Sequence, residues 1–172
     1  MDTSQKVTLS VAVVLGLGVL ASYVPVVRDY RNHDYWVGFS KDTVRVYYAL
    51  QVLAAAGFLT FLFSYCLGES AQEGLLKHPA VAPTLTAVLL LAAIGWGLAI
   101  YAYFQRPSAA LKAVVSLCLV VTAVCSILLL AGYVESDSSN WYATLGLLLF
   151  CVVTVLADGV AWNARFIRTV LD

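Results

Sequence analysis

WYATLGLLLFCVVTVLADGVAWNARFI, residues 141–167, joins a membrane-length apolar run to an acidic side chain, Asp158, seated deep within it. Trp141 to Ala161 makes 21 residues, and an α-helix needs about 20 to cross roughly 30 Å of hydrocarbon. Trp141 and Tyr142 stand at one end of the run and Trp162 at the other, where amphipathic rings settle in a bilayer. Thr144, Leu147, Cys151, Thr154, Asp158, Ala161 and Arg165 recur at steps of three and four, one stripe down one face of a regular helix. That stripe is expected to face protein. Asp158 is then either an interfacial carboxylate, bonded for structural reasons, or a functional group in a pathway, since ionisable side chains inside spans are costly.

Working outward, apolar residues make up 62% of the 172-residue chain and charged ones 12%, with a mean hydropathy of +0.87. Soluble domains are roughly half apolar and a quarter charged, so a soluble fold is excluded. Apolar runs cover residues 7–27, 43–66, 80–104, 109–133 and 141–161. The fold class is therefore all-α, a single-domain polytopic transmembrane bundle of five helices.

Ten cations balance ten carboxylates, which excludes a strongly basic nucleic-acid binder. Alternate loops nevertheless gather Arg28, Arg31, Lys41, Arg45, Arg106, Lys112, Arg165 and Arg168 on one side and leave Lys6 and Lys77 on the other. The positive-inside rule then predicts an N-terminus outside and a C-terminus in the cytosol. With Asp29, Asp34, Asp42, Asp158 and Asp172 on the same side, the inner face carries about +3 and suits anionic lipid headgroups. Reading the first run as a cleaved signal peptide would strand four of these cations outside, so it is kept as a helix.

The connection from Arg28 to Asp42 interleaves Tyr30, Tyr35, Trp36 and Phe39 with charges. Tyr35 and Trp36, with Trp141 and Trp162, are read as interfacial anchors. His33 between Asp29 and Asp34 is a weak metal motif, one His with two carboxylates. Ser40 or Asp42 can cap the next helix. Arg45, followed by Tyr48, Gln51 and Ala55, is expected on one face at the depth of Asp158, so an Arg45–Asp158 ion pair is anticipated. Ala54 to Gly57, Ala93 with Gly97, and Gly95 with Ala99 are packing notches. Pro79 and Pro83 frame the start of the third helix, and residues 105–108 make a tight turn into the fourth.

Cys118, Thr122 and Cys125 on the fourth helix are expected to meet Thr144, Cys151 and Thr154 on the fifth in a small polar seam. The four cysteines, Cys66 included, lie in or at the ends of apolar runs without C-x-x-C pairing, so no disulfide framework, metal or cofactor is implied. Asp158-Gly159 and Ala161 are similar to the opening of the D-G-x-x-A-R signature of CDP-alcohol phosphotransferases, but the alanine comes one residue early and only Asp172 follows. No metalloprotease, nucleophile-elbow or phosphate-loop motif is present. Catalysis is not expected.

Tyr35-Trp36-x-Gly38-x-Ser40, continued by Thr43-x-Arg45-x-Tyr47-Tyr48-x-x-Gln51-x-x-Ala54-Ala55-x-Gly57-Phe58, and Thr154-Val155-Leu156-x-Asp158-Gly159-x-x-Trp162-Asn163-Ala164-x-Phe166-Ile167 resemble stretches of small multi-pass membrane proteins of large DNA viruses that infect algae and protists. That resemblance implies a viral membrane protein, in the virion's internal membrane or in host endomembranes or plasma membrane, and supplies no activity. Two functions are expected to compete. One is a structural or partner-binding membrane subunit, self-associating or bound to other membrane subunits. The other is a small oligomeric channel or transporter using the seam, with Asp158 near its inner mouth.

Overall fold

The structure, a computed structural model, describes residues 1–29, 33–68, 74–136 and 139–169. Tyr30, Arg31 and Asp172, used above in reading loops and charge, lie outside the described residues. Helices α1 (Thr3–Asp29), α2 (Lys41–Leu67), α3 (Val81–Gln105), α4 (Ala109–Val134) and α5 (Trp141–Val152) follow in order. A π-helix, Val153–Trp162, and α6, Asn163–Thr169, continue α5 without a break. No strand occurs among the described residues. Among the described residues five helices are long and apolar enough to cross a membrane, the fifth running from Trp141 to Arg168. The chain is thus an all-helical, multi-pass integral membrane protein.

Two spans outrun the sequence reading. α1 begins at Thr3 instead of Val7 because Asp2 and Gln5 form a reciprocal cap: Gln5 N–H donates to Asp2 Oδ1 and Asp2 N–H to Gln5 Oε1, each at 2.8 Å. The fifth span passes Ala161 because nothing breaks the helix there. Lys112 Nζ instead donates to the carbonyl of Ile167 at 2.9 Å, near the far end of that helix. Ser40, Ser108 and Asn140 cap α2, α4 and α5 through backbone N–H groups three residues on, each cap worth about 1 kcal/mol.

Around the bundle the order is α1, α3, α4, α5, α2, with α1 and α2 closing the ring through a smaller contact. The expected notches are used. A Cβ on Gly97 would come within 2.5 Å of Ser22 Oγ, and one on Gly57 within 2.2 Å of the Gly146 carbonyl oxygen. α2 and α5 therefore cross backbone to backbone, a close approach that only small residues permit.

The helix that begins at Thr3 defines an amino end of the bundle. Arg28, Lys41, Arg45, Arg106, Lys112, Arg165 and Arg168 mark the opposite, cationic end. Between them lie two apolar cores, one around Phe61, Leu129 and Leu147 toward the amino end, the other around Ile100, Val115, Trp162 and Phe166 toward the cationic end.

Candidate functional site around Asp158

The segment that carries Asp158 is a π-helix, a form that is rare and frequently found at functional sites. Its wider turn is visible where Asn163 N–H donates to the carbonyl of Asp158, five residues back. Each such turn shifts the inward face along the chain. In a regular helix Ala161 and Arg165 would follow Thr154 and Asp158 on the inward stripe. Here Trp162 and Phe166 take those places, buried, and Ala161 and Arg165 are exposed.

This rotation corrects the reading of Trp162 as an interfacial anchor. Its residue is only 4% exposed, its Nε1–H donates to the Tyr35 carbonyl at 3.3 Å, its ring stacks on Phe166 and meets Trp96 edge-on. Tyr35 is corrected too. It is buried, donating its hydroxyl to Asp29 Oδ2 at 2.9 Å. Burial, and then that bond to a carboxylate, hold the phenol above its ordinary range, so it remains a donor at neutral pH. Trp36 is half-buried against Tyr47 and Tyr48, and Trp141 is 77% exposed.

The anticipated Arg45–Asp158 pair does not form. Arg45 Nη1 lies 3.1 Å from Asp42 Oδ1, its side chain 79% exposed. The physical reason is helical drift. Successive steps of three residues each fall about 60° short of a full turn, so Gln51, two steps on, lies about a third of a turn from Arg45 and about 9 Å deeper along the axis. Gln51 is the residue that reaches Asp158. Its Nε2 donates to both carboxylate oxygens, at 2.8 and 2.9 Å. Beside them the Tyr47 hydroxyl donates to the carbonyl of Ala157 at 2.5 Å. Among the described residues no Lys, Arg or His reaches the Asp158 carboxylate.

Helix α1 contributes Tyr23, whose phenol lies within electrostatic range of Asp158. Helix α3 contributes Trp96, its ring 5.6 Å from that of Tyr23 and 5.6 Å from that of Trp162. The indole N–H of Trp96 is buried and meets no hydrogen-bond partner among the described residues. The site is thus one carboxylate and one carboxamide, with aromatic rings from four helices around them.

The α4–α5 seam is real but one position rotated. Cys125, Cys151 and Thr154 are buried in it. The bond that crosses it joins Thr154 Oγ1 to Ser126 Oγ at 2.9 Å. Thr122 donates to the Cys118 carbonyl of its own helix, Cys118 faces Gly95 of α3, and Thr144 is half-buried. The face of α4 turned to the fifth helix runs Lys112, Ser116, Ala123, Ser126, with Ser116 Oγ donating to Asn163 Oδ1 at 2.8 Å. Ser116 and Ser126 were missed, although a step of four from Thr122 reaches Ser126.

Elsewhere the polar residues are spent on the fold. Asp29 Oδ2 also meets His33 Nδ1 at 2.6 Å and Gln105 Nε2 at 2.8 Å. Asp34 accepts the backbone N–H groups of Trp36 and Gly38. The His33 motif is therefore divided between two jobs, and among the described residues no group of three or more His, Cys, Asp or Glu side chains is gathered for a metal. No protein-family model, curated protein or solved structure matches the chain.

Proposed function

We propose that this chain is an integral membrane structural or partner-binding subunit without catalytic activity. The observation that carries this reading is the closed seam. Cys125, Ser126, Cys151 and Thr154 are each 8% exposed or less, and the two hydroxyls bond to each other across the helices. A hydroxyl pair consumed in this way holds α4 to the fifth helix and offers little to a passing ion.

The orientation that goes with it is N-terminus outside and C-terminus cytosolic, from the placement of the cations, with the cationic end against anionic headgroups. The viral resemblance of the α2 and π-helix stretches would assign it to a virion's internal membrane or a host membrane. Exposed apolar faces such as that of α2, with Val52, Leu59 and Phe63, are available to lipid, to a second copy or to another subunit.

A channel or transporter is the second reading, and one observation favours it: Asp158 is a carboxylate ten residues inside the Arg168 end of its span with no cation beside it among the described residues. Ion and proton flux through the purified chain in liposomes separates the two. The native protein and Asp158→Asn are both expected to be silent. Flux that Asp158→Asn abolishes, or whose selectivity it changes, would install the channel reading instead.

A further inference from the structure

The inward stripe of α2 runs through Tyr47, Gln51, Ala54 and Phe58. Three of these are buried, yet Gln51 between them keeps a minor part of its surface exposed. Asp158 is likewise only partly covered between buried Thr154 and Trp162. The ring of helices is therefore open at this level. The opening falls between α1 and α2, whose described hydrogen bonds to each other lie at the amino end, from Ser4 and Gln5 to Tyr65 and Gly68 and from Cys66 to Gln5.

What the opening presents is rich in acceptors. Gln51 Nε2 donates to both oxygens of Asp158, and its own Oε1 adds an acceptor next to a carboxylate that has lone pairs to spare. An ionised carboxylate in a span, held among the described residues by a neutral amide, keeps most of its desolvation cost. Three oxygens are too few for Mg²⁺ or Ca²⁺. A primary ammonium, which needs no more than three acceptors, suits so few, and Tyr23, with the ring of Trp96 beside it, adds aromatic faces that attract a cation. A second copy of this chain does not supply it, since Lys6, Lys41, Lys77 and Lys112 all stand at the ends of helices or in a connection.

We propose that a partner transmembrane helix docks in the opening between α1 and α2 and places the ammonium of a lysine from within its own apolar span on Asp158 and Gln51. This deepens, and rests on, the partner-binding reading above. Lysine suits the position because its flexible stem can lie along apolar surface while its head reaches a buried acceptor.

The test uses the full chain in lipid nanodiscs and synthetic Leu/Ala transmembrane peptides that carry Lys, Gln or Leu at one central position, with association read by energy transfer. The Lys peptide is expected to bind about ten-fold tighter than the Leu peptide, the size of a polar pair in a membrane. The preference should vanish on Asp158→Asn, which keeps a carbonyl for Gln51, and fall when the lysine is moved half a turn around the peptide. Equal binding of the three peptides to the native chain overturns the proposal without needing any variant, and so does a lysine preference that survives Asp158→Asn. Flux from the native chain in the liposome assay would remove the partner-subunit reading itself. Silence there with indifferent peptides would remove only this inference.

Discussion

At the scale of single residues, the pairing of Asp158 was decided by an angle. Arg45 and Gln51 both lie on α2 and both can bond a carboxylate, but they are about a third of a turn apart, and only Gln51 is on the inward stripe. Gln51→Leu removes the donor from both Asp158 oxygens and is expected to destabilise the protein by roughly 1 to 3 kcal/mol, measured by denaturant unfolding in micelles. Arg45→Ala is expected to leave the unfolding midpoint where it is, because an exposed pair three residues apart contributes little. In the Arg45→Ala, Asp158→Asn double variant the losses should add, since the two side chains do not meet. A coupling between them would put Arg45 back at the site.

At the scale of elements, two devices set the bundle's geometry. The first is the π-helix, which turns Trp162 and Phe166 into the core and Arg165 out, where its guanidinium lies 4.6 Å from the centre of the Phe39 ring. The second is the Gly57–Gly146 crossing. A Cβ on Gly146 would sit 2.7 Å from the Gly57 carbonyl oxygen, backbone that cannot yield without moving a helix, whereas a Cβ on Gly16 would meet nothing within 4 Å. Gly146→Ala is therefore expected to cost roughly 1 to 3 kcal/mol through overpacking. Gly16→Ala, in the same assay, is expected to be neutral or to stabilise by up to about 1 kcal/mol through helix propensity. Equal effects of the two would mean that α2 and α5 do not touch there.

At the scale of the whole molecule, a polar belt fastens the amino end, while at the cationic end aromatic packing is joined by the hydrogen bonds of Asp29 to Tyr35, His33 and Gln105. Gln5 Nε2 donates to the carbonyls of Tyr65 and Gly68, Ser64 bonds Tyr133, and Asn140 donates to Ser64. α1, α2, α4 and α5 are thereby tied at one level. Gln5→Ala is expected to free the end of α2, seen as faster amide hydrogen exchange at residues 65–68, while exchange in the α3–α4 hairpin stays unchanged. Unaltered exchange at both places would show that the Gln5 amide does not hold the end of α2.

How much of this was legible depended on what each feature needs. Span number, the Gln105–Ser108 turn, the Ser40 cap and the small-residue notches follow from local composition and the fixed length of a bilayer, so they could be read directly. The sequence singled out Asp158 because a carboxylate in an apolar run is conspicuous, and it placed Gln51 near it without recognising it as the partner. The Asp158–Gln51 bond, the inward turn of Trp162, the burial of Tyr35 and the Ser126–Thr154 contact all depend on the rotation of one helix against another. That rotation is set by a π-helix with no composition signal of its own and by which faces pack around the ring. By itself the sequence determined a five-helix membrane protein with an acidic residue in its last span, because hydrophobic length is a local property. Only the tertiary structure decided what that residue touches, because in a helix an error of one residue turns a side chain by about 100°.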